Sequence, residues 1–137
     1  MRICFVSDNL VGYHKQWAGA EQACYRLGKI LIKHNYEIVF VTKKPELSPA
    51  DNLNISWIKT LGQGFFGKII KKILVNFFPV DPVAKKYSLK LFKELKPNLV
   101  HLHRFNELSF SLAASAKKLK IPVVFSLYDF ISICPKG

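Results

Sequence analysis

Short runs of apolar residues alternate along this chain with longer segments in which apolar residues recur every three or four positions. The first run, 2–7, holds Ile3-Cys4-Phe5-Val6 and stops at Ser7-Asp8-Asn9, as a buried strand does. Residues 8–17 form a loop with Gly12, Tyr13, His14 and Trp17. Over 19–34, Ala20, Ala23, Cys24, Leu27, Ile30 and Leu31 keep helical spacing and predict one apolar face. Lys33 and His34 suit the negative end of that helix, and Asn35 suits a left-handed cap. Residues 37–42 predict a second strand, ended by Lys43-Lys44-Pro45.

A polar loop, 45–54, leads to a short third strand at 55–58. Residues 65–78 predict a helix from the pairs Phe65/Phe66, Ile69/Ile70, Ile73/Leu74 and Phe77/Phe78, with Pro79 and Pro82 breaking the chain beyond it. A further helix at 83–95 turns Ala84, Tyr87, Leu91 and Leu95 inward and stops at Lys96-Pro97-Asn98. A strand at 98–102, a helix at 107–119 and a strand at 122–127 follow. Strands of continuous apolarity between helices predict an α/β fold, a Rossmann-like doubly wound parallel sheet covered on both faces. The chain stops soon after its last strand, so the expectation is one domain over 1–137, truncated at its C-terminal end.

Composition narrows this picture. With 137 residues, half of them apolar, there is enough chain for one core and too little for two. The run after Arg2 is too short for a secretory leader, and no segment reaches the roughly 20 apolar residues of a membrane span, so a cytoplasmic location is expected. The three cysteines, Cys4, Cys24 and Cys134, are far apart in sequence and predict neither a disulfide frame nor a zinc site. Lys plus Arg is 21 against 9 Asp plus Glu, a net charge of +12 that favours anionic partners.

In open parallel sheets ligands bind beyond the carboxyl ends of the strands, near the switch in strand order. Four segments are expected there: the loop 8–21, the loop after Thr42, residues 101–106, and the tail from Tyr128. In the first, Ala18-Gly19-Ala20-Glu21 opens a helix. Small residues there let a phosphate or carboxylate approach free N–H groups, or simply make a tight turn with no ligand. Glu21 reads equally as favourable charge in a first helical turn or as a ligand contact. Neither the dinucleotide fingerprint Gly-x-Gly-x-x-Gly nor the Walker phosphate loop is present. His101 and His103 flank Leu102, so alternation sets both on one face; without clustered carboxylates they make a poor metal site, and no metal is expected.

Taken together, Met1-Arg2-Ile3-Cys4-Phe5-Val6-Ser7-Asp8, Ala18-Gly19-Ala20-Glu21, the stretch 34–42, Lys96-Pro97-Asn98-Leu99-Val100-His101-Leu102-His103, and Ile121-Pro122-Val123-Val124 through Asp129-Phe130 to Cys134-Pro135 resemble the N-terminal, acceptor-side domain of family-4 glycosyltransferases. The resemblance covers both ends of the chain and little of 45–95. It implies one half of a two-domain GT-B architecture. It also implies transfer of a sugar from a nucleotide-sugar donor to an acceptor with retained anomeric configuration, the donor being held by a second domain, and no cofactor.

By position, Gly19 matches the second glycine of the family's Gly-Gly turn, whose backbone faces the donor phosphates, and Ala18 replaces the first. Glu21 matches the acidic residue after that turn, His103 and Arg104 are the acceptor-site candidates, and Tyr128-Asp129 match a catalytic His-Asp pair. Tyr128 therefore stands where the family usually has histidine. Tyrosine keeps a hydroxyl, but its ordinary pKa of about 10 does not suit a base at neutral pH. Asp129 either orients a sugar hydroxyl or accepts backbone N–H groups.

Residues 59–96 hold nine Lys against Asp81 and Glu94. In the expected helix 65–78, Lys68, Lys71 and Lys72 lie opposite an apolar side that includes Phe65 and Phe66. Such a helix either lies on an anionic membrane or packs on the sheet with its lysines solvated. No nucleic-acid motif is present. The expected function is acceptor binding within a retaining glycosyltransferase acting on a glycan or lipid-linked acceptor, peripheral to the inner face of the cell membrane, with the isolated chain inactive. The rival expectation is a non-catalytic binding or anchoring subunit that needs a separate donor-binding chain.

Overall fold

The computed structural model describes residues 1–47, 52–61, 80–103 and 107–128. Five strands, β1 (Arg2–Val6), β2 (Glu37–Thr42), β3 (Ile55–Trp57), β4 (Leu99–Leu102) and β5 (Val123–Phe125), form one sheet in the order β3-β2-β1-β4-β5, every neighbouring pair parallel. Among the described residues three helices accompany them: α1 (Gly19–Lys33), α2 (Pro82–Leu95) and α3 (Glu107–Lys118). The chain winds outward from β1 through β2 to β3, then returns to lay β4 on the other side of β1. The sheet is therefore doubly wound, with its switch point between β1 and β4.

Alternation along β1 divides the core. Cys4 and Val6 pack with Val39, Val41, Val100 and Leu102 beneath α2 and α3, while Ile3 and Phe5 pack with Ile38 and Phe40 beneath α1. The thiols of Cys4 and Cys24 are fully buried, and burial pushes Cys4 up to about 12 and raises Cys24 as well, so both are packing groups. Helix α1 ends as the sequence predicts. Asn35 is left-handed at φ 64°, its N–H donates to Ile32 O at 3.0 Å, and that of Tyr36 donates to Leu31 O at 3.0 Å.

Two helix faces differ from the spacing-based expectation. In α1 the buried residues are Glu21, Cys24 and Gly28, whereas Ile30 is 53% exposed. Glycine at 28 leaves room for the Phe40 ring, and this turns the contact strip away from Ile30. In α2 the buried strip is Ala84, Ser88 and Phe92, and Tyr87 faces outward under Lys59, whose Nζ lies 5.7 Å from the ring centre. Ser88 is inward because α2 meets α3 through a hydroxyl pair, Ser88 Oγ to Ser115 Oγ at 2.6 Å. The expected helix 65–78 falls outside the described residues.

Candidate functional site

The described parts of the four segments expected at the carboxyl edge, 8–21, the residues after Thr42, 101–103 and Tyr128, lie along it. The Ser7 N–H extends the β1 ladder by donating to Val41 O at 3.1 Å, and the His103 N–H extends β4 by donating to Val6 O at 2.9 Å. The loop after β1 is tied to the loop after β2. Thr42 Oγ1 donates to Asp8 O at 2.8 Å, Lys43 Nζ lies 2.6 Å from Asp8 Oδ2, and the Glu46 and Leu47 N–H groups donate to Tyr13 O at 2.9 and 3.1 Å. Such double tethering orders a loop that sequence alone leaves open.

His101 and His103 share the α1 side of the sheet, as alternation requires. Both rings lie against Phe5, at 5.1 and 4.7 Å between centres, and 4.0 Å from one another. His101 Nε2 pairs with Ser126 Oγ at 2.8 Å, and His103 Nδ1 pairs with Tyr128 Oη at 2.9 Å. His103 is wholly buried. Burial, and secondarily the neighbouring His101, lower its pKa from 6.5 to about 3; burial lowers His101 as well. At neutral pH His103 is therefore an uncharged ring, neither a cation for phosphate nor an effective base. Either atom can donate in this bond, according to the tautomer, and Nε2 then holds the complementary role. That Nε2 is buried and has no partner among the described residues.

The turn before α1 is built without a side-chain cap, because Ala18 occupies the N-cap position with extended backbone. Glu21 compensates from the third helical position: its Oε2 accepts the Ala18 N–H at 2.9 Å, and its side chain is fully buried. Glu21 thus acts at least as the structural partner of the turn. A Cβ placed on Gly19 would meet nothing within 4 Å, so the space in front of the helix start is open and packing does not demand a glycine. Arg104, Asp129 and the membrane-contact candidates Phe65, Phe66, Lys68, Lys71 and Lys72 fall outside the described residues.

Sequence reasoning passed over His14. It is buried, its Nδ1 accepts the Leu10 N–H at 2.9 Å, and its Nε2 has no partner among the described residues. It lines a cavity of about 250 Å³ together with Asn9, Lys15, Gln16 and Glu46. The signal in the sequence was slight: one histidine in a polar loop at the functional edge, with a carboxylate in the loop after the next strand. Elsewhere, Pro82, Lys85, Lys86, Leu89, Lys90 and Lys93 line an open groove of about 470 Å³ along α2. Among the described residues no group of three His, Cys, Asp or Glu is arranged to hold a metal ion.

The family model described as Glycosyltransferase Family 4 matches residues 17–132. Among solved structures, MurG of Acinetobacter baumannii superposes with a TM-score of 0.56 at 17% identity, over 90% of this chain and 33% of that one. The UDP-GlcNAc 2-epimerase of Methanocaldococcus jannaschii superposes with a TM-score of 0.50 at 16% identity, over 98% of this chain and 34% of that one. At such identities the likeness is one of fold, and the chain spans about a third of the length of either protein. No curated protein sequence matches.

Proposed function

Because the chain belongs to glycosyltransferase family 4, we propose that it is the acceptor-binding, N-terminal part of a retaining GT-B glycosyltransferase that moves a sugar from a nucleotide-sugar donor to a glycan or lipid-linked acceptor. The observation that carries this reading is His103: a neutral, buried ring at the switch point, held at Nδ1 by Tyr128, with an Nε2 that has no partner among the described residues. Such a group suits a sugar hydroxyl better than a phosphate.

In this reading the donor diphosphate lies over Gly19, where the first N–H groups of α1 are directed outward and no Cβ intervenes. The acceptor hydroxyl attacks the anomeric carbon from the face that the diphosphate leaves. The new bond joins acceptor oxygen to anomeric carbon, the bond from that carbon to the phosphate oxygen breaks, and the proton passes to the departing phosphate. No side-chain base is required, which agrees with an imidazole whose pKa is about 3 and with Tyr128 in place of histidine. Arg104 and Asp129 are proposed to complete the acceptor side.

The net charge of +12 and the lysines along α2 favour action at an anionic membrane surface, to which Phe65, Phe66, Lys68, Lys71 and Lys72 are proposed to contribute on the cytoplasmic face. No helix among the described residues is long and apolar enough to cross a membrane. The commitment of the Tyr128 hydroxyl to His103 also favours a second reading, a binding subunit whose donor side is another chain.

The test supplies labelled UDP-glucose, UDP-GlcNAc and GDP-mannose with bacterial membrane vesicles as the acceptor source. The 137 residues alone should transfer no sugar, and the same residues joined to a donor-binding GT-B half should. Transfer by the isolated chain would overturn the divided-site reading, and silence from the joined protein would favour the binding-subunit reading.

A further inference from the structure

The cavity around His14 has no part in the site described for His103, and its chemistry specifies an occupant. A backbone N–H cannot accept, so the 2.9 Å bond from Leu10 N to His14 Nδ1 fixes Nδ1 as the acceptor. The neutral ring therefore carries its hydrogen on Nε2, a buried donor with no partner among the described residues. A buried donor left unpaired is a standing free-energy cost that a ligand oxygen relieves. That same protonated nitrogen is unsuited to a metal ion.

The remaining lining is wholly polar: Asn9 and Gln16, each with donor and acceptor, the Lys15 side chain, and the Glu46 carboxylate. Glu46 Oε2 accepts the Lys15 N–H at 3.1 Å, and a carboxylate keeps acceptor capacity beyond one such bond. A phosphate entering here would face that carboxylate. An uncharged polyhydroxylated ring instead finds acceptors and donors for adjacent hydroxyls. The volume of about 250 Å³ is below the roughly 300–1,000 Å³ of pockets for drug-sized ligands and suits one ring, not a nucleotide. The walls are preformed, since the Glu46 and Leu47 N–H groups both donate to Tyr13 O across the two loops.

We propose that the cavity bounded by Asn9, His14, Lys15, Gln16 and Glu46 is a subsite for one neutral sugar ring of the acceptor, with His14 Nε2–H donating to a ring hydroxyl and Glu46 accepting from another. The assignment rests on the acceptor-side reading above and adds the place and the chemical class.

The test is NMR titration of the histidine-labelled 137-residue chain with N-acetylglucosamine, methyl α-glucopyranoside and methyl α-mannopyranoside, with inorganic phosphate as the anion probe. At least one sugar should shift the His14 ring signals saturably and phosphate should not. His14→Asn keeps an oxygen for the Leu10 N–H but lacks the Nε2 donor, and should weaken that sugar about tenfold at unchanged thermal stability. Glu46→Gln should weaken it as well and serves if the first variant folds poorly. Shifts by phosphate alone, or sugar binding undiminished in both variants, would overturn the subsite. Sugar-induced shifts confined to His101 and His103 would also overturn it while leaving the acceptor-side reading standing. No response to any sugar at any histidine would count against both.

Discussion

Tyr128 Oη lies 2.9 Å from His103 Nδ1, and the two rings are nearly parallel, 16° apart with centres 6.0 Å from one another. One residue comes from the end of β4 and the other from beyond β5, so the bond joins two neighbouring strand ends across the carboxyl edge. His103 thereby receives a fixed orientation from an uncharged partner. Tyr128→Phe keeps the ring and removes the hydroxyl. It should cost about 1 kcal/mol in urea unfolding and shift the tautomer balance of His103 in long-range nitrogen–proton NMR spectra. An unchanged tautomer would show that another group sets the ring.

The burial of His103 makes stability depend on pH in a definable window. Its pKa is about 3 in the folded chain against 6.5 for an ordinary histidine, so between these values the unfolded chain binds a proton that the folded one refuses. The folded state loses stability as pH falls from 6.5 towards 3, by at most ~1.4 kcal/mol per pH unit from this residue. Above pH 6.5 the effect is absent. Urea midpoints measured at pH 7.5, 5.5 and 4.5 should fall in the native chain more steeply than in His103→Gln. Parallel slopes would mean that acid sensitivity arises elsewhere.

Strand runs such as Ile38–Val41 are apolar on both faces, and that pattern suffices for the parallel sheet and for which loops share its functional edge. Helix faces are less legible where polar groups or glycine do the packing. Helical spacing sets Ile30 inward, yet the buried strip runs through Glu21 and Gly28, neither of which carries a hydrophobic signal. Ser88 is hidden likewise, since the partner that draws its hydroxyl against α3 is Ser115, 27 residues away, beside the local bond to Lys85 O. At the site, alternation places His101 beside His103. The Tyr128 bond and the burial that holds His103 neutral arise from contacts between distant segments, which no local pattern contains. The His14 bond to the Leu10 N–H spans only four residues, but it depends on a turn geometry that residue spacing does not specify.

Glycines 19 and 28 should respond oppositely to the same change. A Cβ on Gly28 would enter the Phe40 ring, 2.8 Å from Cε1, where Phe40 is itself wedged edge-on against Phe5 at 5.9 Å between centres. Overpacking of this kind costs about 1–3 kcal/mol and exceeds the helix-propensity gain of up to about 1 kcal/mol. Gly28→Ala should therefore destabilise the chain. Gly19→Ala meets nothing within 4 Å and should leave the urea midpoint unchanged or slightly raised. A loss of nucleotide-sugar use by Gly19→Ala in the joined two-domain protein would then report on ligand approach alone.

Asp81 fastens the start of α2 to two other parts of the chain. Its Oδ1 accepts the Val83 and Ala84 N–H groups at 2.8 and 3.0 Å, its Oδ2 accepts the Leu61 N–H at 2.6 Å, and its own N–H donates to Ser111 Oγ at 2.9 Å. Removing the carboxylate leaves two helix-start donors and a part-buried loop donor unsatisfied. The cap alone is worth about 1 kcal/mol, and the loop bond adds a similar amount, so Asp81→Ala should lose about 2 kcal/mol in urea unfolding. Asp81→Asn keeps one oxygen for the cap and should lose about half of that. Equal losses for the two variants would mean that the Leu61 bond, not the cap, secures α2. Because α2 also presents Lys85, Lys86, Lys90 and Lys93 along one groove, the alanine variant should bind anionic liposomes more weakly only where its helix content has fallen. Circular dichroism run on the same samples decides this.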